Sequence, residues 1–376
     1  MSLKNSMVLS ALALLFTAGV SFGTYADVAP EEHVEGATHE EGHKEEGEFK
    51  AAEHALHHAL DSYEFHFTDG IVIPLPVILW TDNGLVTFMS SEFHHDDAGH
   101  HLVERKGMKF AKIHEKIYQL EEGATAVEFD ADHHPVNAHK VVLDFSLTKN
   151  VVTIFLVALL MLLVFLKSAK FYKKNKGKAP KGVAGWTEPI ILFVQDVAKE
   201  NIEADKYRKF VPYLLTVFFF ILFGNILGLI PFLANPNMTG SISITMTLAA
   251  FTFIIQLVNS RKTFWLHIVD PLGNSMSWGS KLPLYIILVP IEILGIFIKP
   301  AALLIRLFAN ITAGHIIVVS LISIIFVNQS VAWAGLSVPM TLFISTLEIL
   351  VAFLQAYIFM MLSALFIGMA TESAHH

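Results

Sequence analysis

Apolar and polar positions along this chain are sorted into long blocks rather than alternating finely. Apolar runs occupy Met7–Val20, Val151–Leu166, about Val211–Phe232, Ile242–Val258, Pro283–Val327 and about Val338–Met369. From Val151 onward each run reads as a membrane-crossing helix, because about 20 apolar residues span a hydrocarbon layer roughly 30 Å thick. The 45 residues of Pro283–Val327 are too many for one upright span, at roughly 65 Å if helical. That run is either two spans or one long tilted helix, with Pro300 as a place to bend. The last run poses the same choice. Single crossings give five spans and paired crossings give seven, with the C-terminus on the same side.

Composition agrees. Of 376 residues, 53% are hydrophobic and 16% charged, and the mean hydropathy is +0.53. Soluble domains carry about 25% charged residues, so these values rule out a disordered chain and argue strongly against a single soluble globular domain. A net charge of −8 with no basic face argues against nucleic acid as a partner. The absence of cysteine removes disulfides, thiolate metal sites and cysteine nucleophiles.

Charge asymmetry orients the spans. Seven lysines between Lys167 and Lys181 follow the first mature span, and Arg261-Lys262 follow the third. Basic flanks stay in the cytoplasm, so the first span runs from outside to inside. Residues 1–26, with Lys4, a short apolar core and Ala26, read independently as a cleaved secretory signal peptide. The chain therefore divides into 1–26, a periplasmic acidic and histidine-rich segment 27–145, and a membrane domain 146–372. Within the second part, residues 27–60 are too polar to bury a core. Residues 61–90 carry a small β element with a turn at Asp82-Asn83-Gly84 and prolines 74 and 76 marking an irregular or edge strand. Residues 91–140 return to polar sequence. Residues 190–203 read as a cytoplasmic surface helix, and 264–282 as a cytoplasmic loop. Fifteen of nineteen histidines lie between His33 and His139. Their irregular spacing favours a solvated, buffering tract over a metal site, and no metal or other cofactor is expected.

The titratable residues inside the apolar runs are Glu292, Lys299, Arg306, His315 and Glu348. A charge at the bilayer centre costs about 2.5–3.5 kcal/mol on insertion scales, so each is a functional candidate. Arg306 is permanently protonated: it favours ionisation of a carboxylate brought beside it and cannot relay a proton past itself. At 100° per residue Glu292, Lys299, Arg306 and Asn310 share a stripe, with His315 on another face. Glu348 and Gln355, seven apart, share a face of the last helix. A fixed cation facing one partner, and a histidine and a glutamate facing another cavity, form a proton path interrupted by a gate.

These residues sit in a recognisable context. K-P-A-A-L-L-I-R-L-F-A-N-I-T-A-G-H, Lys299 to His315, resembles the signature helix of subunit a of the F-type ATP synthase. T-L-E-I-L-V-A-F-L-Q-A-Y-I-F-M-M-L, Thr346 to Leu362, resembles the last helix of that family, and Phe223–Phe232 with Asn237–Leu248 resemble its preceding helices. The resemblance covers about residues 145–372. It implies an all-α polytopic membrane protein of about five crossings, with a tilted C-terminal helical hairpin and a small N-terminal extramembrane segment. It implies a non-catalytic subunit of the bacterial inner membrane, carrying protons to and from a c-subunit ring alongside peripheral-stalk b subunits. By resemblance Arg306 faces that ring, Asn310 and Gln355 lie near it, His315 and Glu348 line a half-channel, and Asn225 belongs to the second span. Glu292 and Lys299 are secondary candidates. Gly228 stands where some relatives carry an aspartate. The choice of H⁺ or Na⁺ rests with the c subunit. The competing reading is a secondary ion or metal transporter; no internal repeat of the kind such transporters show is seen.

Overall fold

The computed structural model describes residues 61–68, 71–130, 134–141, 143–230, 238–270, 278–328 and 330–372. The signal-peptide and acidic-tract readings of residues 1–60 lie outside it.

Residues 61–145 form a β module larger than the element expected from the sequence. It holds β1 (Glu64–Thr68), β2 (Ile71–Pro74), β3 (Pro76–Thr81), β4 (Gly84–Met89), β5 (Ala98–Arg105), β6 (Met108–Ile113), β7 (Lys116–Leu120), β8 (Ala138–Lys140) and β9 (Leu143–Asp144). β1 and β2 pair antiparallel; the other sheets run β4-β3-β9 and β5-β6-β7-β8. The expected hairpin is present: Thr81 pairs with Gly84 around Asp82-Asn83, and Gly84 takes φ +86°, a conformation that glycine adopts without steric cost. Pro76 opens β3, where a missing N–H is tolerated. Strands between 98 and 140 were not anticipated, because histidines and lysines interrupt the alternation there. The structure absorbs one of them: Lys112 is buried, with Asp97 and Glu115 3.6 and 3.5 Å away. Inward side chains of β3 and β4 (Val77, Leu79, Val86, Phe88) share a core with Phe93, on the short 3-10 turn Ser90–Phe93, and with Val103, Phe110 and Ile117 of the β5-β6-β7-β8 sheet. Each such side chain contributes about 1.5–3 kcal/mol on burial.

The module is fastened to the first helix, α1 (Lys149–Lys174), through that helix's own unpaired amides. Lys149 N donates to Ser62 O at 2.8 Å, Asn150 N to Asp61 Oδ1 at 3.0 Å, and Val151 N to Thr148 Oγ1 at 3.4 Å.

The rest is helical: α2 (Val183–Asn201), α3 (Tyr207–Gly228), α4 (Ile242–Val258), α5 (Lys262–Val269), α6 (Trp278–Val327) and α7 (Ala334–Thr371). α2 is the expected surface helix, beginning seven residues earlier than read. The stretch read as a loop over 264–282 instead holds α5 and the start of α6; Phe264, Trp265, Leu266 and Ile268 supply an apolar turn that the charges at 261–262 masked. Among the described residues four helices are long and apolar enough to cross a membrane, or five if α4 and α5, bent by 99°, count together. Both long C-terminal runs are single helices, α6 passing unbroken through Pro300. The doubled, seven-span count therefore falls.

α3 lies at the centre, with Phe218, Phe219 and Phe220 all buried, and packs against α2 and α7. The end of α7 is pinned: Ala370, Thr371 and Glu372 carbonyls accept from Arg261 N (2.9 Å), Lys206 Nζ (2.7 Å) and Thr263 Oγ1 (2.9 Å). α6 is the outlier. Only 6% of its most apolar stretch is buried within the chain, against 61% for α3. The described residues leave most of its surface uncovered.

Candidate functional site

The α6–α7 hairpin positions the candidate residues. Leu303 and Leu307 of α6 turn into the helical core, 2% and 1% exposed, while Arg306 and Asn310 remain exposed. Arg306 lies near the middle of the apolar segment Leu284–Ile325, and among the described residues it has no hydrogen bond or ion pair. This chain thus holds a permanent cation near the middle of its longest apolar helix, the least covered of the four candidate spans.

Eight residues further along α6, the hairpin brings Glu348 of α7 onto Gly314. A Cβ at position 314 would lie 2.6 Å from Glu348 Oε1 and 3.4 Å from its Cδ, so glycine is what admits the carboxylate. Glu348 is half-buried. The backbone of His315 follows in the same turn of α6; its side chain lies outside the described part. The sequence reading missed Gly314, although a glycine within a helix, beside a histidine, is a signal of close approach.

Asn225 and Gln355 are placed elsewhere. Both are 3% exposed. Asn225 of α3 donates from Nδ2 to Ala352 O of α7 (3.3 Å), and its Oδ1 accepts from Thr239 Oγ1 (2.5 Å). It ties three segments together one turn from Gln355. No hydrogen bond joins Gln355 to Arg306 among the described residues.

Towards the other end of α6, Glu292 and Lys299 line a cavity of about 410 Å³ with Gln256, Thr263, His267 and Glu372. The two charges form no ion pair, so the pairing that their i, i+7 spacing allowed is not made. Gln256 of α4 is 1% exposed, and its Oε1 has no hydrogen-bond partner in the structure. A buried, unsatisfied amide oxygen beside polar space is a place for water. A lone glutamine in the apolar run I-I-Q-L-V was the available signal for it. Two polar sites therefore flank Arg306 on α6: Lys299 about 10 Å away on one side and Gly314 about 12 Å on the other, at about 1.5 Å per residue.

A family model described as ATP synthase A chain matches residues 151–368, more than half of the chain. The chain belongs to the ATP synthase A chain family. Similar curated proteins are each named ATP synthase subunit a. That of Chloroherpeton thalassium is 43% identical over 267 residues, 66% of this chain and 78% of the relative. That of Chlorobium phaeobacteroides is 48% identical over 236 residues (62% and 67%), and that of Myxococcus xanthus 43% over 241 (62% and 76%). A second match, to a domain of unknown function (DUF8433), covers residues 54–145. Membership of the ATP synthase A chain family makes this a multi-pass membrane protein and the proton-channel subunit of an F-type ATP synthase, and accounts for its run of apolar helices.

Proposed function

We propose that Arg306 is the divider between two aqueous half-channels that load and unload a carboxylate on a rotating ring of c subunits. The observation that carries this reading is the uncovered guanidinium of Arg306 near the middle of the apolar segment, with no anionic partner among the described residues. A cation there is costly in lipid, so a partner must supply the negative charge. A carboxylate passing on a neighbouring subunit would be held ionised while beside Arg306 and could move into lipid only when protonated.

On this reading the outer path reaches the ring past the turn holding Gly314 and His315, with Glu348 against it. The inner path leaves through the cavity lined by Glu292, Lys299 and Gln256, at the end of α6 near Arg261-Lys262. The basic flanks put that end in the cytoplasm with the C-terminus and the β module outside. Protons moving inward gain about 2.3 kcal/mol per charge per 100 mV. The subunit makes no ATP itself and transmits torque, with b subunits as fixed neighbours. Asn225 holds α3, α7 and the 238–241 turn in register and so positions the outer lining.

The test is ATP-driven acidification of vesicles carrying wild type or Arg306→Ala, with ATP hydrolysis and subunit content followed alongside. Loss of pumping in an assembled complex supports the gate. Undiminished pumping would overturn it.

A further inference from the structure

The β module carries a second apolar face that its own core does not use. In the β4-β3-β9 sheet, Val77, Leu79, Val86 and Phe88 point inward. The opposite face should be polar in a sheet with one solvated side. Instead, direct cross-strand neighbours Leu85, Trp80 and Leu143 form one exposed row, 47%, 55% and 42% exposed. Ile78 lies in the next row, and Met89, 41% exposed, opposite Pro76 in the third. Thr87 interrupts an otherwise apolar surface. The face is also rigidly held. The strand that closes the sheet continues through Leu147, whose N–H bonds to Pro76 O at 3.1 Å, into the three-fold cap of α1.

We propose that this sheet face is the docking surface for another membrane-anchored subunit of the same ATP synthase, which lays an apolar segment outside the membrane across Trp80, Leu85 and Leu143. Three features favour that occupant. First, three strands at about 4.8 Å and six residues at about 3.3 Å give roughly 280 Å². A stable interface between free proteins needs about 800 Å² per partner. So the face suits a partner already held nearby by another contact, for which a small patch suffices at high effective concentration. Second, that other contact is at hand: α1, directly joined to the sheet, exposes Leu159, Leu163 and Leu166 at 53–63%, a stripe for a neighbouring span. Third, Leu143 is six residues, or about 20 Å of extended chain, from the start of α1. That reach exceeds a headgroup layer of about 5–7 Å per side, and the Leu85, Trp80 and Leu143 row lies at the end of the sheet farther along the chain from α1 than the Pro76 and Leu147 pairing. A protein segment reaches it and lipid does not.

The chain has no cysteine of its own, so single sites can be labelled. In the complete membrane-embedded complex, Trp80→Cys carrying a benzophenone is photolysed, with Glu122→Cys on a turn of the other sheet as control. The expected result is an adduct between this chain and one other subunit of the complex, from position 80 only. Leu143→Glu and Leu85→Glu should then cut the yield of that adduct, and the retention of that subunit in detergent, roughly thirtyfold, the effect of losing one buried anchor. Adducts only with lipid, adducts only with a second copy of this chain, or no adduct would each overturn the proposal. So would glutamate variants that keep full subunit content. If Leu143→Glu prevents assembly, Leu85→Glu, on the outer strand, decides alone. These readouts are composition and contact, so they succeed or fail independently of proton flux through Arg306.

Discussion

Gly314→Ala isolates one contact of the proposed outer path. The added methyl would sit 2.6 Å from Glu348 Oε1, against an ordinary separation of about 3.4 Å or more for such atoms. The carboxylate must retreat by roughly 0.8 Å, and as the far end of a flexible side chain it can do so without unpacking α6 from α7. Alanine also favours the helix by about 0.8–1.0 kcal/mol over glycine. Assembly should therefore be unharmed. Proton transfer is less forgiving, since a misplacement of about 1 Å can cost roughly 10²-fold. We expect pumping in inverted vesicles to fall between about ten- and a hundredfold, with subunit content at wild-type level. Gly314→Val should be worse, and trimming the acid by Glu348→Asp should partly restore the Gly314→Ala variant by shortening the group that must move. Wild-type pumping by Gly314→Ala would refute the reasoning, because Glu348 would then not need its place against α6.

Gln256→Leu removes a buried amide oxygen that lacks a partner; the complex should gain about 1 kcal/mol of stability yet release protons inward more slowly, seen as a higher detergent melting point with lower pumping. Thr239→Val deletes the donor to Asn225 Oδ1, and leaving that oxygen unsatisfied should cost about 1–3 kcal/mol, read as a lower melting point of the solubilised complex. The β module should loosen in acid at residues 94–101, the turn that leads into β5 and that strand's first residues. Burial raises the Asp96 pKa, but the N–H groups of His101, Ala98 and His100 and the charge of His100 together outweigh it, so the carboxyl titrates below 3.8. A depressed folded pKa gives stability that is present above the unfolded value and lost as pH falls through the folded one. Hydrogen exchange of residues 94–101 in the intact complex should rise below about pH 4 and stay level from pH 5 to 8; a rise already within pH 5 to 8 would refute the assignment to Asp96.

What the sequence made legible depended on how local the cause was. Spans, flanks and the Asp82-Asn83-Gly84 turn are written in short windows, because apolar length, lysine placement and glycine at positive φ each act within a few residues. The β strands after 98 were hidden because their polar positions are balanced over distance: Lys112 reads as exposed until Asp97 and Glu115 are brought to it by the fold. The candidate site split along the same line. Arg306 and Glu348 stand out as charges in apolar runs. Gly314, Gln256 and Thr239 matter through what lies opposite them, on other helices and segments up to 127 residues away in the case of Asn225 and Ala352.

The length of α6 bears on the moving carrier that the proposed function invokes. Its apolar segment Leu284–Ile325 holds 42 residues, about 63 Å of helix. A straight helix of that length fits within about 30 Å of hydrocarbon only when inclined roughly 60° from the membrane normal. Lys299 and Gly314 are then about 22 Å apart along the axis, but only about 11 Å apart in depth and about 19 Å apart sideways. Both polar sites fall towards mid-membrane, each in need of its own watery route to its own side. Neither can hand a proton to the other, because the gap is many hydrogen-bond lengths and Arg306 stands within it. On the function proposed above, a proton crosses on a carboxyl that travels laterally, beside the face of α6 that the described residues leave uncovered. Shortening α6 by one turn between Lys299 and Gly314 should therefore impair coupling far more than a point substitution on the same face, and ATP hydrolysis without acidification is the signature to measure.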